Sequence, residues 1–261
     1  MDSSKNTSPS AAQSVERAAA LLRVVAAHGP DGARLLDVAA ETGLARPTAH
    51  RLLKQLCAER LLTQGQDRRY LPGSLLYELG LAAPSPIQRL DRMRPRLQAL
   101  ADLTGDTAYL VMRSGDEAVC LDLAEGSYPI RARTFEIGAR RPLGMGAAGL
   151  ALLAAQPASE ARAMMERNVD SLNRHGLSLD TLFERLNNAQ PDHAISYGTI
   201  TEGVIGIAVV VPTQIGVPYL AVSIAAISSR IPDSRMSALF KELRTVTHQL
   251  AVIEASGGSR S

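Results

Sequence analysis

Between Leu44 and Tyr70 the chain carries Arg46, Arg51, Lys54, Arg60, Arg68 and Arg69, opposed only by Glu59 and Asp67. The whole chain is nearly neutral, with a formal charge of +2, so this basic excess is a local stripe. Clustered guanidinium and ammonium groups attract phosphates, which is the electrostatic footprint of a nucleic-acid contact. The spacing adds to it. Leu52, Leu53, Leu56 and Cys57 share one face of a helical segment from Ala45 to Arg60, and Arg46, Thr48, His50, Arg51 and Lys54 share the other. Arginine can also make a paired hydrogen bond to O6 and N7 of guanine. Arg46 or Arg51 is therefore the expected base reader. Thr48 and His50 are expected at base edges or phosphates, and Lys54, a turn further on, at phosphate. Proline fits a helix only in its first turn, so Pro47 marks the start of this segment. Arg68 and Arg69 lie in a short hairpin and are expected at a flanking groove or at the backbone of the duplex.

Catalytic chemistry is poorly provided for. The five histidines, His28, His50, His175, His193 and His248, show no metal-ligand spacing. There is no nucleophile elbow or phosphate loop, and Gly144-Met145-Gly146 is a lone glycine pair. The chain is expected to need no cofactor or metal and not to be an enzyme. Cys57 and Cys120 are too few for a disulfide framework and sit in apolar surroundings, as reduced thiols of a cytoplasmic protein do. No apolar run is long and charge-free enough to span a bilayer. Met1 to Ala12 is polar and Ser-rich and reads as a disordered tail.

The elements that must position the basic stripe are legible around it. Ser14 is a candidate cap for a helix to His28, along which Val15, Ala18, Leu21, Leu22 and Val25 recur at helical spacing. His28-Gly29-Pro30 stops it. A short amphipathic segment with Leu36, Val38 and Ala39 ends at Thr42-Gly43-Leu44, where glycine tolerates the sharp turn. Leu61-Leu62-Thr63 and Arg69-Tyr70-Leu71 flank Gln64 to Arg68 as a basic-edged hairpin. The order helix, turn, helix, hairpin is that of a winged helix-turn-helix. A further helix follows Pro72-Gly73-Ser74, and Ala83-Pro84-Ser85-Pro86 breaks the pattern as a stiff linker.

The second half mixes periods. Ile87 to Thr104 reads as a helix with Pro95 inside it. Ala108 to Met112 and Ala118 to Leu123 read as a hairpin around Ser114-Gly115-Asp116, and Ile130 to Phe135 as another strand. Gly138 to Gly149 leads into a helix near Ala148 to Ala155, with helices near Ser159 to Arg167 and Leu179 to Asn188. Gly203 to Val211 and Val217 to Ile227 are strong strands, and Asp233 to Glu254 is a last helix. This half is α+β.

These residues resemble the IclR-type bacterial transcriptional regulators. Ser14-Val15-Glu16-Arg17-Ala18, Thr42-Gly43-Leu44 and Thr48-Ala49-His50-Arg51-Leu52-Leu53 carry the likeness at the N-terminal end, with Tyr70-Leu71-Pro72-Gly73 in the wing. Gly138 to Leu143, Ala148 to Ala154, Glu202-Gly203 and Leu220 to Ile227 carry it in the second half. Arg46-Pro47 stands where the family usually has Lys-Ser, and Gly144 where it has His.

The resemblance implies an α+β protein: a winged helix-turn-helix domain joined by a linker helix to a GAF-like effector-binding domain. Its boundaries would be a tail at 1–12, the DNA-binding domain at 13–73, the linker at 74–86, the effector and oligomerisation domain at 87–255 and a tail at 256–261. It implies a homodimer or homotetramer on a near-palindromic duplex operator. It also places effector-pocket positions at Ala147, Ala148, Ser196, Gly206, Ser223 and Ala225, whose small side chains leave room for a ligand. Arg133 and Arg141 fall near pocket positions that are usually apolar. A buried arginine needs an anion, so the expected effector is a carboxylate, an aromatic acid or a dicarboxylate. The alternative function is a small-molecule-binding or enzymatic α+β domain whose N-terminal helices serve assembly only.

Overall fold

The computed structural model describes residues 11–82, 89–213 and 216–256. The two expected tails (apart from Ala11, Ala12 and Ser256), the Ala83-Pro84-Ser85-Pro86 linker and a helix start at Ile87 lie outside them. The chain divides into two compact units, Met1–Pro84 and Ser85–Ser261.

In the first unit, α1 (Ala11–Ala27) is followed by α2 (Leu35–Thr42) and α3 (Arg46–Ala58). Leu21, Val25, Val38, Ala49 and Leu53 are completely buried between them. Ser14 is not the cap of α1: the helix already runs through Ala11-Ala12-Gln13, and alanine and glutamine are good helix formers. Gly43 closes α2 at φ 65°, and its N–H returns to the Ala40 carbonyl. Pro47 sits in the first turn of α3, where no helical partner is asked of its nitrogen. Strands β1 (Leu62–Gln64) and β2 (Tyr70–Pro72) pair antiparallel, Leu62 with Pro72 and Gln64 with Tyr70. Helix α4 (Ser74–Ala82) ends the unit.

The second unit begins with α5 (Leu90–Thr104), β3 (Thr107–Ser114), β4 (Glu117–Ala124) and β5 (Arg140–Pro142). Helices α6 (Gly146–Ala154), α7 (Ala158–Arg167), α8 (Val169–Arg174) and α9 (Leu179–Asn188) follow. Strands β6 (His193–Tyr197), β7 (Val204–Val210) and β8 (Leu220–Ile227) and the long α10 (Asp233–Ala255) complete it. The six strands form one antiparallel sheet in the order β5-β4-β3-β8-β7-β6.

Alternation along the strands divides the core in two. Leu110, Ile207, Val222 and Ile224 face α5 and α10, among Met93, Leu97, Leu243 and Leu250. Val111, Ala208, Ala221 and Ala225 face α6, among Leu150, Leu153 and Leu182. The first face is filled by large side chains; the second, toward the start of α6, is lined by small ones. Among the described residues no helix is long and apolar enough to cross a membrane.

Ile130 to Phe135 is not a strand. The free edge of β4 is already used: β5 pairs with Glu117 to Val119, the Cys120 N–H donates to the Ala139 carbonyl, and the Gly138 N–H donates to the Cys120 carbonyl. The 130–135 segment is instead an irregular coil tied to β3 by one side chain. The Tyr109 hydroxyl donates to the Ala132 carbonyl at 2.7 Å and accepts from the Thr134 N–H at 2.9 Å.

Candidate DNA interface and effector cavity

Packing decides which face of α3 is left for a partner. Ala49, Leu53 and Leu56 are buried against the first unit's core. Arg46, Pro47, His50, Arg51 and Lys54 are exposed on the opposite face, and Thr48 is half-buried at its margin. None of these cations has an acidic partner within 4 Å among the described residues. Arg46 and His50 share a groove with Arg68 from the hairpin and with Arg34 and Leu36 from the start of α2.

The hairpin treats its two arginines differently. Arg68 is exposed and holds φ at 61°, the left-handed conformation needed to reverse the chain between Gly65 and Arg69. Arg69 turns inward. Its Nη1 donates to the Gly32 carbonyl at 3.0 Å and the Asp31 carbonyl at 3.4 Å, and its Nε lies 3.2 Å from the Asp67 carboxylate. The structure thus places Arg69 as a staple between wing and α1–α2 connection, and not on the outer face with Arg68. Strand alternation at these two positions is a signal that could have separated them. Arg34 was missed because it lies outside the basic stretch of the sequence.

The second site is a partly open cavity between the small-residue face of the sheet and the start of α6. Ala147, Ala148, Ser196, Gly206, Ser223 and Ala225 all line it, and so does Arg141. Gly206 lets α6 come close: a Cβ there would stand 3.1 Å from the Ala147 Cβ. Arg133 does not join them. It is half exposed on the coil, bound to Glu136 at 2.6 Å with Glu125 at 3.9 Å. Carboxylates three residues on and eight back hold it outside, so the expectation that both arginines face the cavity is corrected for Arg133.

Arg141 has no such partner. Its guanidinium stacks on the Phe135 ring, 4.4 Å from the centroid, and donates to the Thr134 carbonyl. No carboxylate lies within 4 Å of it among the described residues. Burial pulls its pKa below the ordinary arginine value, as expected for a cation taken from water without an anion. Ser223, paired across the sheet with Tyr109, also lines the cavity; it is more than nine-tenths buried, and its hydroxyl bonds no protein group among the described residues. The Ser196 hydroxyl lies 2.7 Å from that of Thr199, which accepts from Arg185 of α9.

Sequence reasoning missed Tyr109, Phe135, Met145, Thr199 and Ile200 in the lining. Alternation in β3 could have placed Tyr109 with Val111; the coil residues carry no periodic signal. No Asp, Glu, Lys or His lines the cavity among the described residues. The Cys120 thiol nearby is pushed up to about 12, mainly by burial, so it stays protonated and is no nucleophile. Among the described residues no three His, Cys, Asp or Glu gather as a metal site.

Comparison with known proteins agrees with this division. A family model for the "IclR helix-turn-helix domain" matches residues 14–66. A second, "Bacterial transcriptional regulator IclR C-terminal", matches residues 86–252. The HTH-type transcriptional regulator TtgV of Pseudomonas putida is 29% identical over 88% of this chain and 86% of its own. The probable transcriptional regulator SauR of Cupriavidus necator is 30% identical over 85% of this chain and 86% of its own. An IclR homolog from Microbacterium hydrocarbonoxydans, solved in complex with 4-hydroxybenzoate, has the same fold with a TM-score of 0.68. It is 20% identical, and the match covers 93% of this chain and 99% of that one.

Proposed function

The chain belongs to the IclR family of bacterial transcriptional regulators, and on that premise we propose that a small carboxylate in the cavity controls its grip on a near-palindromic operator. It has a helix-turn-helix DNA-binding domain and an effector domain, and its relatives are regulators and not enzymes. The reading in which the N-terminal helices serve assembly alone therefore gives way.

On the DNA side, α3 enters the major groove with its N-terminal residues toward the bases. Arg46 and Arg51 are the base readers, Thr48 and His50 reach base edges or phosphates, and Lys54 and Arg68 hold phosphates. Arg69 contributes by fixing the wing that carries Arg68. A dimer presents two such helices to two half-sites, and a tetramer to two operators. We read residues 13–73 as the DNA-binding module, 74–86 as the linker and 87–255 as a GAF-like effector and oligomerisation domain. A regulator that works on the bacterial chromosome works in the cytoplasm.

One observation carries the effector reading: Arg141 is a half-buried cation, without an anion among the described residues, on the wall of a cavity that also offers hydroxyls. A guanidinium fork matches a carboxylate in shape and charge. Main-chain N–H groups at the start of α6, by Ala147 and Ala148, add positive partial charge. Support comes from the structural neighbour that holds 4-hydroxybenzoate, itself a carboxylate. Effector binding changes the relative placement of the DNA-binding modules in the oligomer, and by linkage operator binding changes effector affinity by the same factor.

The test is selection of sites from a random duplex pool, followed by titration of the selected duplex with carboxylates. Enrichment of a palindromic motif whose affinity shifts with an acid, and no longer does so in Arg141→Gln, is the expected result. An enriched motif that no acid perturbs overturns the effector reading. Failure to enrich any motif, with or without acids, overturns the operator reading.

A further inference from the structure

We propose that the groove between α2, α3 and the hairpin seats one backbone phosphate of the operator, gripped by Arg34 and Arg68, and that seating it draws a proton onto His50. This rests on α3 being the operator-reading helix. It adds a phosphate ligand from outside the basic stretch of the sequence, and a proton to the binding reaction.

Three elements meet at the groove. Arg34 comes from the start of α2, Arg46 and His50 from α3, and Asp67, Arg68 and Tyr70 from the hairpin. Arg46 and His50 are four residues apart on α3, so they are neighbours on one face of the helix. Arg68 holds φ at 61°, a conformation that glycine takes at less cost, and so carries a charged side chain at the very point where the hairpin reverses.

The charges there do not balance. Arg34, Arg46 and Arg68 are exposed, and none has a carboxylate within 4 Å among the described residues. Arg51 and Lys54 add positive charge along α3 on either side of the groove. Asp67 is engaged already: it lies 3.2 Å from the Arg69 Nε and accepts from the Arg69 N–H. Asp37 of α2 does not line the groove and accepts from the Arg34 N–H at its own helix start. Tyr70 is buried, which raises its pKa, so it brings no negative charge. Guanidinium groups from two separate elements thus face a groove with no free anion, and a phosphate is the anion that duplex DNA brings to it.

His50 is placed to register the arrival of that phosphate. It is exposed, and its ring bonds no protein group among the described residues. An imidazole ordinarily gains its proton near pH 6.5, and an opposite charge within about 4–6 Å favours the charged form. The protonated ring also donates from both nitrogens, where the neutral ring donates from one. The complex therefore holds a proton that the separate protein and duplex do not. Operator affinity rises as the pH falls through neutrality, and levels off where free His50 is itself protonated. His28, the other histidine of the first unit, is paired with Glu41 at 2.9 Å and does not line the groove.

The experiment uses the full-length protein and the duplex enriched by site selection. Calorimetry at about pH 7 in PIPES, MOPS and imidazole, buffers of different ionisation enthalpy, counts the protons taken up on binding. Uptake is expected for the unaltered protein and for His28→Gln, and none for His50→Gln. Anisotropy titrations from about pH 8 to 6 at constant ionic strength should show affinity rising about tenfold for each half-site engaged. His50→Arg, charged at every pH, should give a flat profile. Arg34→Gln should lower the slope of log affinity against log salt by about 1 for each half-site and leave the selected motif intact.

A pH-independent affinity without proton uptake overturns the proton step, as does a pH dependence that His50→Gln leaves in place. A salt slope unchanged in Arg34→Gln overturns the phosphate seat. If His50→Gln alters the selected motif and the unaltered protein takes up no proton, His50 reads a base as a neutral ring; the operator reading stands and the proposal falls. If no duplex is enriched at any pH, the operator reading falls and takes the proposal with it.

Discussion

The α3 face and the cavity each present arginines without an acidic partner, and the meaning of that absence differs with solvent. Arg46 and Arg51 stand in water, which satisfies a lone guanidinium at little cost, so their freedom only makes them available. Arg141 is half-buried with a carbonyl and an aromatic ring for company, and there a lone charge is disfavoured. The first site is an open face that suits a large partner. The second is a recess that suits only a small one. Arg68 and Arg69 repeat the contrast at neighbouring positions, one facing the groove and the other spent on two carbonyls of the fold.

The largest effects should come from cutting each site's own arginine. Arg46→Ala should lower specific operator affinity by about tenfold or more, with non-specific binding much less affected. Fluorescence anisotropy with the selected duplex and a scrambled one would show it, and equal losses on both would remove Arg46 from base reading. Arg141→Gln should weaken carboxylate binding by about tenfold or more in calorimetry. Operator affinity measured without any acid should stay where it was. If operator binding fell as well, the separation of the two sites would not hold.

A smaller effect is expected from inside the cavity. Gly206→Ala adds a methyl where the Ala147 Cβ would be 3.1 Å away, which costs about 1–3 kcal/mol if α6 must shift. Chemical denaturation measures this, and an unchanged midpoint would show that α6 gives way freely. Smaller again, Arg69→Ala should loosen the wing and lower the stability of the first unit while base preference in site selection keeps its pattern. A changed motif would return Arg69 to the bases. The smallest effect is that of Lys54→Ala, which should reduce the slope of log affinity against log salt by about 1 and leave the motif intact.

The first unit was legible because its structure is periodic and local. The apolar spacing around Leu21, Val38 and Leu53, the turn at Gly43 and the proline at 47 each act within a few residues, and each has one physical reading. The small lining residues of the cavity came through likeness to a family, since Ala147, Gly206 and Ser223 look like ordinary packing residues by themselves. What was not legible depends on neighbours distant in sequence. β5 is three residues long and exists because β4 offers a free edge. The apolar and basic alternation of Ile130 to Phe135 suggested a strand that this same edge could not accommodate. Arg185, Thr199 and Ser196 meet across a helix, a loop and a strand, and no spacing rule links them.

Tyr109 has a consequence for how this cavity can change over generations. Its single hydroxyl both donates to and accepts from the coil at 132–134, fastening one wall to the middle of the sheet through backbone atoms alone. The side chain of Phe135, which lines the cavity, takes no part in that fastening. Substitutions there can alter the shape of the cavity wall while the coil keeps its place. The cavity wall can thus change its shape without loss of the fold, so long as the tyrosine stays.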